Sequence, residues 1–331
     1  MKPEICIECE QIGRVYRVSN KAPGVRGSLQ ALFRREYSDV VALSDVSFTI
    51  ERGEMVGLVG ANGAGKTTAL KILSGILKPT SGWVRVLGED PFQRKHSFLR
   101  KIGMISGQKA MLEPDLAAMD SYLLYRDIYQ ISQRELDHNI MMFADLLRVQ
   151  QKLKIPVRKL SLGERMKCEL IGALLHQPEL IFLDEPTIGL DVYSQRSIRQ
   201  ALVKLNQEHN ITVLITSHNM RDIEEMCQRI LILQAGRLVY DGAIKDLTGY
   251  RTDLVTIAVE AGHIHLPMNI AGHIRAHEEN GKVIYKVTKD ELPVVLSQLL
   301  EVCSPEAIRL QEDSLEDIVM QLQSEVQTHA E

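Results

Sequence analysis

GANGAGKTT, the stretch from Gly60 to Thr68, is the strongest clue to the architecture of this chain. It follows the apolar run Met55 to Val59 and fits the pattern G-x-x-x-x-G-K-[ST]. Glycines in such a turn let successive main-chain N–H groups converge on phosphate oxygens, and the helix that begins at Lys66 adds the positive end of its dipole. The stretch therefore predicts a P-loop between a buried strand and a helix.

Each residue of the predicted P-loop has an expected place around a nucleotide. The ammonium group of Lys66 is expected at the β- and γ-phosphates, the hydroxyl of Thr67 at Mg²⁺, and Thr68 on the α-phosphate side. The remaining phosphate oxygens are expected to meet the loop itself, which consists of Gly60, Ala61, Asn62, Gly63, Ala64 and Gly65.

A second apolar run, Leu180 to Leu183, ends in two carboxylates, Asp184 and Glu185. The run predicts a buried parallel strand whose C-terminal end opens at the phosphate site. Asp184 then suits Mg²⁺, directly or through water, and Glu185 suits a general base for the attacking water. Pro186-Thr187 and Gly189-Leu190-Asp191 follow at once, which favours a catalytic strand end over a merely solvated one.

Further motifs follow the P-loop in a fixed order. They are LSLGE at 160–164, LIFLDEPT at 180–187, IGLD at 188–191 and TSH at 216–218. Together they resemble the ATP-binding cassette of ABC transporters over about Glu4 to Gly242. The chain is most similar to the ATPases of ABC-2 type exporters, including those that look like daunorubicin-resistance ATP-binding proteins. The resemblance implies an ATPase that powers a separate membrane permease.

In that family two cassettes hold ATP between them, so the resemblance implies a homodimer in which each P-loop faces the partner's signature motif. Ser161 and Gly163 match the serine and the second glycine of the family's LSGGQ and are implied ATP contacts, as is Asp191. Leu162 and Glu164 depart from that pattern, and the glutamate would bring negative charge to a triphosphate. Ser-x-x-Glu before an apolar run also fits an ordinary capping box.

Two further residues are assigned by the resemblance through their place in the motif order. Gln108, after the strand-like run 102–105, resembles the Q-loop glutamine, which contacts Mg²⁺ or its water and links the core to the helical subdomain. His218, after the run 213–216, matches the switch histidine that senses the γ-phosphate. The implied catalytic set is Lys66, Gln108, Glu185 and His218, and the implied Mg²⁺ ligands are Thr67, Gln108 and Asp184.

The adenine base needs an aromatic platform, because stacking on an aromatic ring stabilises a bound base. Tyr16, just after the first predicted strand at Glu4 to Cys9, is the preferred candidate, and Tyr37 is a rival. Between them lies an insertion, 17–39, whose five basic minus two acidic residues give a charge of +3. Such a segment fits contact with lipid headgroups or an acidic partner, and it fits a solvated loop equally well.

Strand-like and helical runs alternate up to residue 245, which predicts an α/β fold. We expect a P-loop NTPase ATP-binding cassette over 1–245, with an antiparallel β subdomain and a helical subdomain at about 109–177. In the resembled family the helical subdomain docks on the permease, and Tyr122 and Tyr125 are candidate contacts. Residues 246–331 predict a small C-terminal α+β accessory domain.

Composition narrows the class of protein. The chain has 331 residues, 45% of them hydrophobic, and a net charge of −4. This balance argues against a nucleic-acid partner, since such binders are normally basic. No apolar run approaches the length of a membrane span, the N-terminus does not resemble a signal peptide, and the five scattered cysteines fit a reducing compartment. We therefore expect the cytoplasmic face of the membrane, through a permease.

Two alternatives stay open at this point. A soluble ABC ATPase acting on ribosomes or DNA usually carries two cassettes or a long inserted coiled coil, and the sequence shows neither. An ATP-binding regulatory subunit with low turnover is suggested only by Glu164. The transported substrate is open, because the permease chooses it in this family.

Overall fold

The computed structural model describes residues 4–20, 36–107, 109–251, 254–260, 266–270, 274–279, 282–312 and 315–320. The chain divides into two compact units, Met1–Asp241 and Gly242–Glu331. No helix within those described ranges combines the length and the apolar character needed to cross a bilayer.

Among the described residues, the first unit contains two sheets and seven α-helices. Its strands are β1 Ile5–Asn20, β2 Glu36–Glu51, β3 Met55–Val59, β4 Ser81–Val86, β5 Ile102–Ser106, β6 Leu180–Asp184, β7 Thr212–Thr216, β8 Arg229–Gln234 and β9 Arg237–Ala243. Its helices are α1 Lys66–Leu73, α2 His96–Leu99, α3 Ala118–Tyr129, α4 Gln133–Leu147, α5 Leu162–Leu174, α6 Val192–His209 and α7 Met220–Met226.

A six-stranded sheet in the order β5-β6-β7-β3-β8-β9 forms the centre of this unit. The first five of these strands pair in parallel, and β3, β6 and β7 are buried along their whole length. Continuous apolar runs are what strands covered on both faces require. Because parallel strands share their carboxyl edge, the segments after Val59, Asp184 and Thr216 all leave the sheet on the same side.

The second sheet of this unit is antiparallel, in the order β2-β1-β4. The prediction that the first strand ends at Cys9 is wrong, since β1 continues to Asn20. Beyond Cys9 the strand keeps pairing with β2 through several register shifts, which absorb the irregular stretch around Gly13. Tyr16 consequently lies within β1, opposite Val40, and not after the strand.

One hydrophobic cluster joins the two sheets to the P-loop helix. It includes Ile7 and Ile50 from the antiparallel sheet, Leu70 from α1 and Phe182 from β6, all without exposed surface. Burying each such side chain contributes about 1.5–3 kcal/mol to stability, so this cluster stabilises the strand and the helix that flank the P-loop.

The predicted helical stretch at 109–177 contains α3, α4 and α5.

The second unit is α+β, as predicted. Its elements are α8 Ile244–Arg251, β10 Leu254–Glu260, β11 Asn269–Ile270, β12 Ile274–Arg275, β13 His277–Glu279, β14 Lys282–Thr288, α9 Leu292–Val302 and β15 Ile308–Glu312. Four strands form an antiparallel sheet in the order β13-β14-β10-β15. Its core includes Ile257, Tyr285, Val295 and Leu299. Residues 315–320 are helical.

Candidate functional site

The P-loop connects the carboxyl end of β3 with α1. Gly60, Gly63 and Gly65 have φ angles of 153°, 82° and 107°, conformations that glycine adopts without steric cost. At Gly65 a Cβ atom would lie 2.6 Å from the carbonyl oxygen of Ala42, so no side chain fits there. The glycines thus fix the curvature of the loop, and the hairpin of β1 and β2 closes against it.

The side chain of Lys66 folds back over the P-loop. Its Nζ donates hydrogen bonds to the main-chain oxygens of Gly60 at 2.7 Å and Ala61 at 3.2 Å. Burial lowers the pKa of the ammonium group, while the charges of Glu185 and Asp184 act to raise it. The lysine therefore lies between the loop and the two carboxylates.

Asp184 is the centre of a cluster of oxygen atoms. The hydroxyl of Thr67 donates to its carboxylate at 3.0 and 3.2 Å, and the hydroxyl of Thr216 donates to Oδ1 at 2.8 Å. The carboxylate is buried. Hydroxyl and carboxylate oxygens are the ligands that Mg²⁺ prefers. Thr67 and Asp184, both predicted as Mg²⁺ ligands, are thus brought into direct contact.

Glu185 directly follows β6 and has a left-handed φ of 54°. Its amide donates to both the carbonyl oxygen and the hydroxyl of Thr216, at 3.1 and 3.0 Å. Its carboxylate Oε2 lies 3.5 Å from Nδ1 of His218, whose side chain is 55% exposed while that of Glu185 is 14% exposed. The predicted base and the predicted switch histidine therefore face each other at the mouth of the site.

Gln108, assigned above to the Q-loop, lies outside the described residues. Its neighbour Gly107 donates its amide to the carbonyl oxygen of Asp184 at 2.8 Å. A Cβ at Gly107 would lie 2.1 Å from the carbonyl oxygen of Glu185, so the chain passes directly against the main chain of Asp184 and Glu185 here. The close approach explains why glycine stands at this position.

The signature segment begins α5 with a capping box. The hydroxyl of Ser161 accepts from the Glu164 amide at 3.2 Å, and the Glu164 carboxylate accepts from the Ser161 amide at 2.9 Å. The same carboxylate lies 2.9 Å from Nζ of Lys152, which is the main reason why the pKa of Glu164 falls below its usual value. The negative charge that departs from the family pattern is therefore paired within the chain.

Gly163 and Asp191 lie next to each other. A Cβ at Gly163 would lie 2.1 Å from Oγ of Ser194, and that hydroxyl donates to Asp191 Oδ2 at 2.6 Å. Asp191 also caps α6 by accepting from the Ser194 amide at 2.9 Å. Across the parts of the chain described here, Ser161, Gly163 and Asp191 make no hydrogen bond to the P-loop of their own chain.

The register of β1 and β2 favours Tyr16 over Tyr37 as the adenine platform. Arg14 is paired with Leu43, and the side chain of Leu43 packs against Gly65 of the P-loop. Tyr16 is only two residues farther along, and the guanidinium group of Arg14 lies 4.9 Å from its ring centroid. Tyr37 is paired with Ser19, farther out along the same hairpin. Most of the insertion, 21–35, lies outside the described residues.

Sequence reasoning missed two features of the site. Thr216 holds both carboxylate residues, and its place in the TSH motif was a signal that could have identified it. The buried pair Arg199 and Asp222 had no such signal, because charged side chains within helices are usually exposed.

Comparison with known proteins identifies the family. Residues 43–188 match the ABC transporter family. The ABC transporter ATP-binding protein NatA of Bacillus subtilis (strain 168) is 32% identical over 215 residues, which cover 65% of this chain and 87% of NatA. The chain belongs to the ABC transporter ATP-binding proteins. Nod factor export ATP-binding protein I of Neorhizobium galegae is 31% identical over 320 residues, 94% of this chain and 88% of that protein.

The fold of this chain is similar to that of a solved ABC cassette. A dimeric bacterial ABC transporter cassette aligns with a TM-score of 0.59 and 25% identity, over 72% of this chain and 98% of the other. The predicted fold class, the family and the ATPase assignment are thereby confirmed. The soluble ribosome- or DNA-acting alternative is not favoured, because the matched family and relatives are transporter proteins.

Proposed function

We propose that this chain is the ATPase subunit of an ABC-2 type exporter, which hydrolyses ATP between two copies of its cassette and drives a separate membrane permease. The observation that carries the proposal is the convergence of Lys66, Thr67, Asp184, Glu185 and His218 at one edge of the parallel sheet. Relatives named for Nod factor export and bacitracin transport support the exporter class.

Lys66 binds the β- and γ-phosphates in this proposal. An ammonium group has three N–H donors, and loop oxygens occupy two of them, which leaves one for a phosphate oxygen. The loop residues Gly60 to Gly65 offer their amides to the remaining oxygens, and Thr68 lies on the α-phosphate side. Tyr16 stacks on the adenine.

Thr67, Asp184 and Gln108 are proposed to hold Mg²⁺. The contact of the Thr67 hydroxyl with the Asp184 carboxylate supports the first two, since both are hard oxygen ligands. When bound, the ion neutralises charge on the phosphates during phosphoryl transfer.

Glu185 is proposed as the general base for the attacking water. Thr216 fixes its main chain through two hydrogen bonds, and the carboxylate keeps some exposure to solvent. His218, 3.5 Å away, orients the carboxylate and meets the γ-phosphate. Positioning of this kind is the main contribution of protein groups to phosphoryl transfer.

The signature residues are proposed to complete the site of a second copy. Ser161 accepts a hydrogen bond as an N-cap, and its own O–H remains available to donate to a γ-phosphate oxygen. Asp191 forms the adjoining exposed surface, and the buried Gly163 packs directly beside it. Pairing of Glu164 with Lys152 removes the charge conflict that suggested a low-turnover regulator.

The permease is proposed to dock on α3 and the segment before it, which places the chain at the cytoplasmic face of the membrane. Large apolar side chains are exposed here: Met111, Leu116, Leu123, Leu124 and Ile128. Exposed apolar patches of this kind mark interaction surfaces. The prediction that Tyr122 contacts the permease is wrong, because Tyr122 is fully buried and its hydroxyl donates to the carbonyl oxygen of Cys168 at 2.7 Å.

Crosslinking tests the proposal. The five native cysteines are all buried, so a cysteine introduced on the surface is the most reactive thiol. Leu124→Cys should crosslink to an integral membrane protein in native membranes, whereas Gln200→Cys, on the exposed side of α6, is the matched control. Crosslinking at position 124 that does not exceed that of the control would refute docking at this surface.

A further inference from the structure

A pair of opposite charges, Arg199 and Asp222, is buried in the first unit next to the proposed catalytic segments. Their side chains are 5% and 0% exposed, and Nη1 of Arg199 donates to Oδ1 of Asp222 at 2.5 Å. Nε of Arg199 donates to Glu225 at 2.7 Å, and Glu225 also accepts from the exposed Arg221 at 2.8 Å. Within the described part of the chain, neither member of the pair hydrogen-bonds to a residue assigned above to ATP.

The second oxygen of Asp222 reaches two catalytic segments. Oδ2 accepts a hydrogen bond from the hydroxyl of Thr187 at 2.5 Å, and the hydroxyl of Ser217 lies 3.5 Å away. Thr187 and Ser217 are themselves buried. Thr187 follows Glu185 by two residues, and Ser217 directly precedes His218.

Arg199 adds a third segment. It lies on α6, the helix that Asp191 caps and that packs against Gly163 of the signature segment. A continuous chain of buried contacts therefore runs from α6 through Arg199, Asp222 and Thr187 to the main chain beside Glu185. These contacts join the segment after β6 with α6 and α7, and Thr187 and Asp222 are 35 positions apart in the sequence.

Stability alone does not account for such a pair. Removing two charges from water costs about as much as their attraction returns, and apolar residues of similar volume often replace a buried ion pair without loss of stability. What the pair supplies is a fixed geometry. Geometry matters at Glu185, whose left-handed backbone is an uncommon conformation for a residue with a side chain.

We propose that Arg199 and Asp222 are positioning residues that hold Glu185 and His218 in register for hydrolysis and link them to α6. The proposal rests on the function proposed above, since it assigns these residues to that same site. The signature segment packs against α6. A displacement of α6 therefore moves Arg199 and Asp222 and, through them, the proposed base Glu185. The nucleotide-binding P-loop is left out of this chain of contacts.

Two variants and one control test the proposal. Thr187→Val removes the hydroxyl that joins Asp222 to the Glu185 segment and keeps the side-chain shape. The double variant Arg199→Met with Asp222→Leu replaces the pair by apolar side chains of similar volume. Arg221→Gln alters only the exposed end of the network and is the matched control. For each we would measure kcat, KM for ATP, ATP affinity and Tm.

Both test variants should lose kcat by about a hundredfold, as expected when a catalytic group is misplaced by an ångström. ATP affinity and KM should stay near the wild-type values, because the P-loop lies outside this network. The double variant should keep its Tm, and Arg221→Gln should resemble wild type throughout. A purely structural pair would instead lower Tm and ATP affinity together with kcat.

Wild-type kcat in Thr187→Val, or in a folded double variant, would overturn the positioning role. If the double variant does not fold, Thr187→Val alone decides. Glu185→Gln measured in parallel separates the two proposals: a fully active Glu185→Gln refutes the proposed base, whereas an inactive Glu185→Gln beside an active Thr187→Val refutes only the positioning pair.

Discussion

At the scale of single residues, Lys66 and Glu185 separate binding from chemistry. Lys66→Ala removes the buried positive charge at the phosphate site and should abolish measurable ATP binding. Glu185→Gln keeps the shape of the side chain and removes its basicity, so it should bind ATP and lose hydrolysis. Binding of a fluorescent ATP analogue and release of phosphate measure the two effects. Wild-type turnover in Glu185→Gln would refute the assignment of the base.

Two glutamates on α5 should respond to pH in opposite directions. Burial raises the pKa of Glu169 above its usual 4.5, with Arg165 as a weaker opposing influence. The folded state then binds this proton more tightly than the unfolded chain, so stability falls as pH rises through the window above 4.5. Glu169→Gln removes this loss and should raise Tm relative to wild type at neutral pH, with the gain fading towards pH 4.5.

Glu164 is the matched control within the same helix. Its pKa is lowered, chiefly by Lys152, so it stabilises the folded state above 4.5 and this contribution is lost as pH falls through the lowered pKa. Glu164→Gln should therefore lower Tm at neutral pH and have little effect in acid. Thermal unfolding of both variants between acid and neutral pH gives the measurement. Differences in Tm that stay constant with pH would contradict both interpretations.

At the scale of elements, α3 has one buried and one exposed face, and the two should respond differently to charge. Leu124→Glu lies on the exposed apolar face and should leave folding and basal ATPase intact while the permease complex is lost. Tyr122→Arg places a charge in a fully buried position and should unfold the helical subdomain, since an unpaired buried charge costs several kcal/mol. Circular dichroism and membrane co-purification distinguish the two. Normal complex formation by Leu124→Glu would contradict docking on this face.

The elements also show how far sequence reasoning extends. The bounds of β3, β6 and β7 were predicted to within a residue, because strands buried on both faces are continuous apolar runs with sharp ends. β1 was predicted far too short, because its outer half is exposed and carries residues such as Arg17. Register shifts, and pairing between strands that are partly exposed, leave no simple pattern of apolar and polar residues in the sequence.

The candidate site also contains residues that could be assigned from the sequence and contacts that could not. Motif residues with a short local spacing, such as Lys66, Thr67 and Asp184, could be assigned because their chemistry is local to a loop or a strand end. The contacts of Asp222 with Thr187 and Arg199 could not, because they join side chains 35 and 23 positions apart. Only the packing of α6 and α7 brings these residues together.

At the scale of the whole molecule, the central claim is that ATP is held between two copies of this chain. Ser161, Gly163 and Asp191 make no hydrogen bond to the P-loop of their own chain within the described ranges, and the proposed function assigns them to the ATP site of a second copy. A variant that binds ATP without hydrolysing it should trap this dimer. Ser161→Arg, which places a bulky cation at the shared surface, should prevent the dimer from forming.

Light scattering after size-exclusion chromatography measures the formation of the ATP-bound dimer most directly. One chain has a mass of 37.3 kDa. Glu185→Gln with Mg²⁺-free ATP should elute at twice that mass, it should return to the mass of one chain when ATP is removed, and the double variant with Ser161→Arg should stay monomeric throughout. Glu185→Gln that remains at 37.3 kDa with ATP bound would contradict a site shared between two copies.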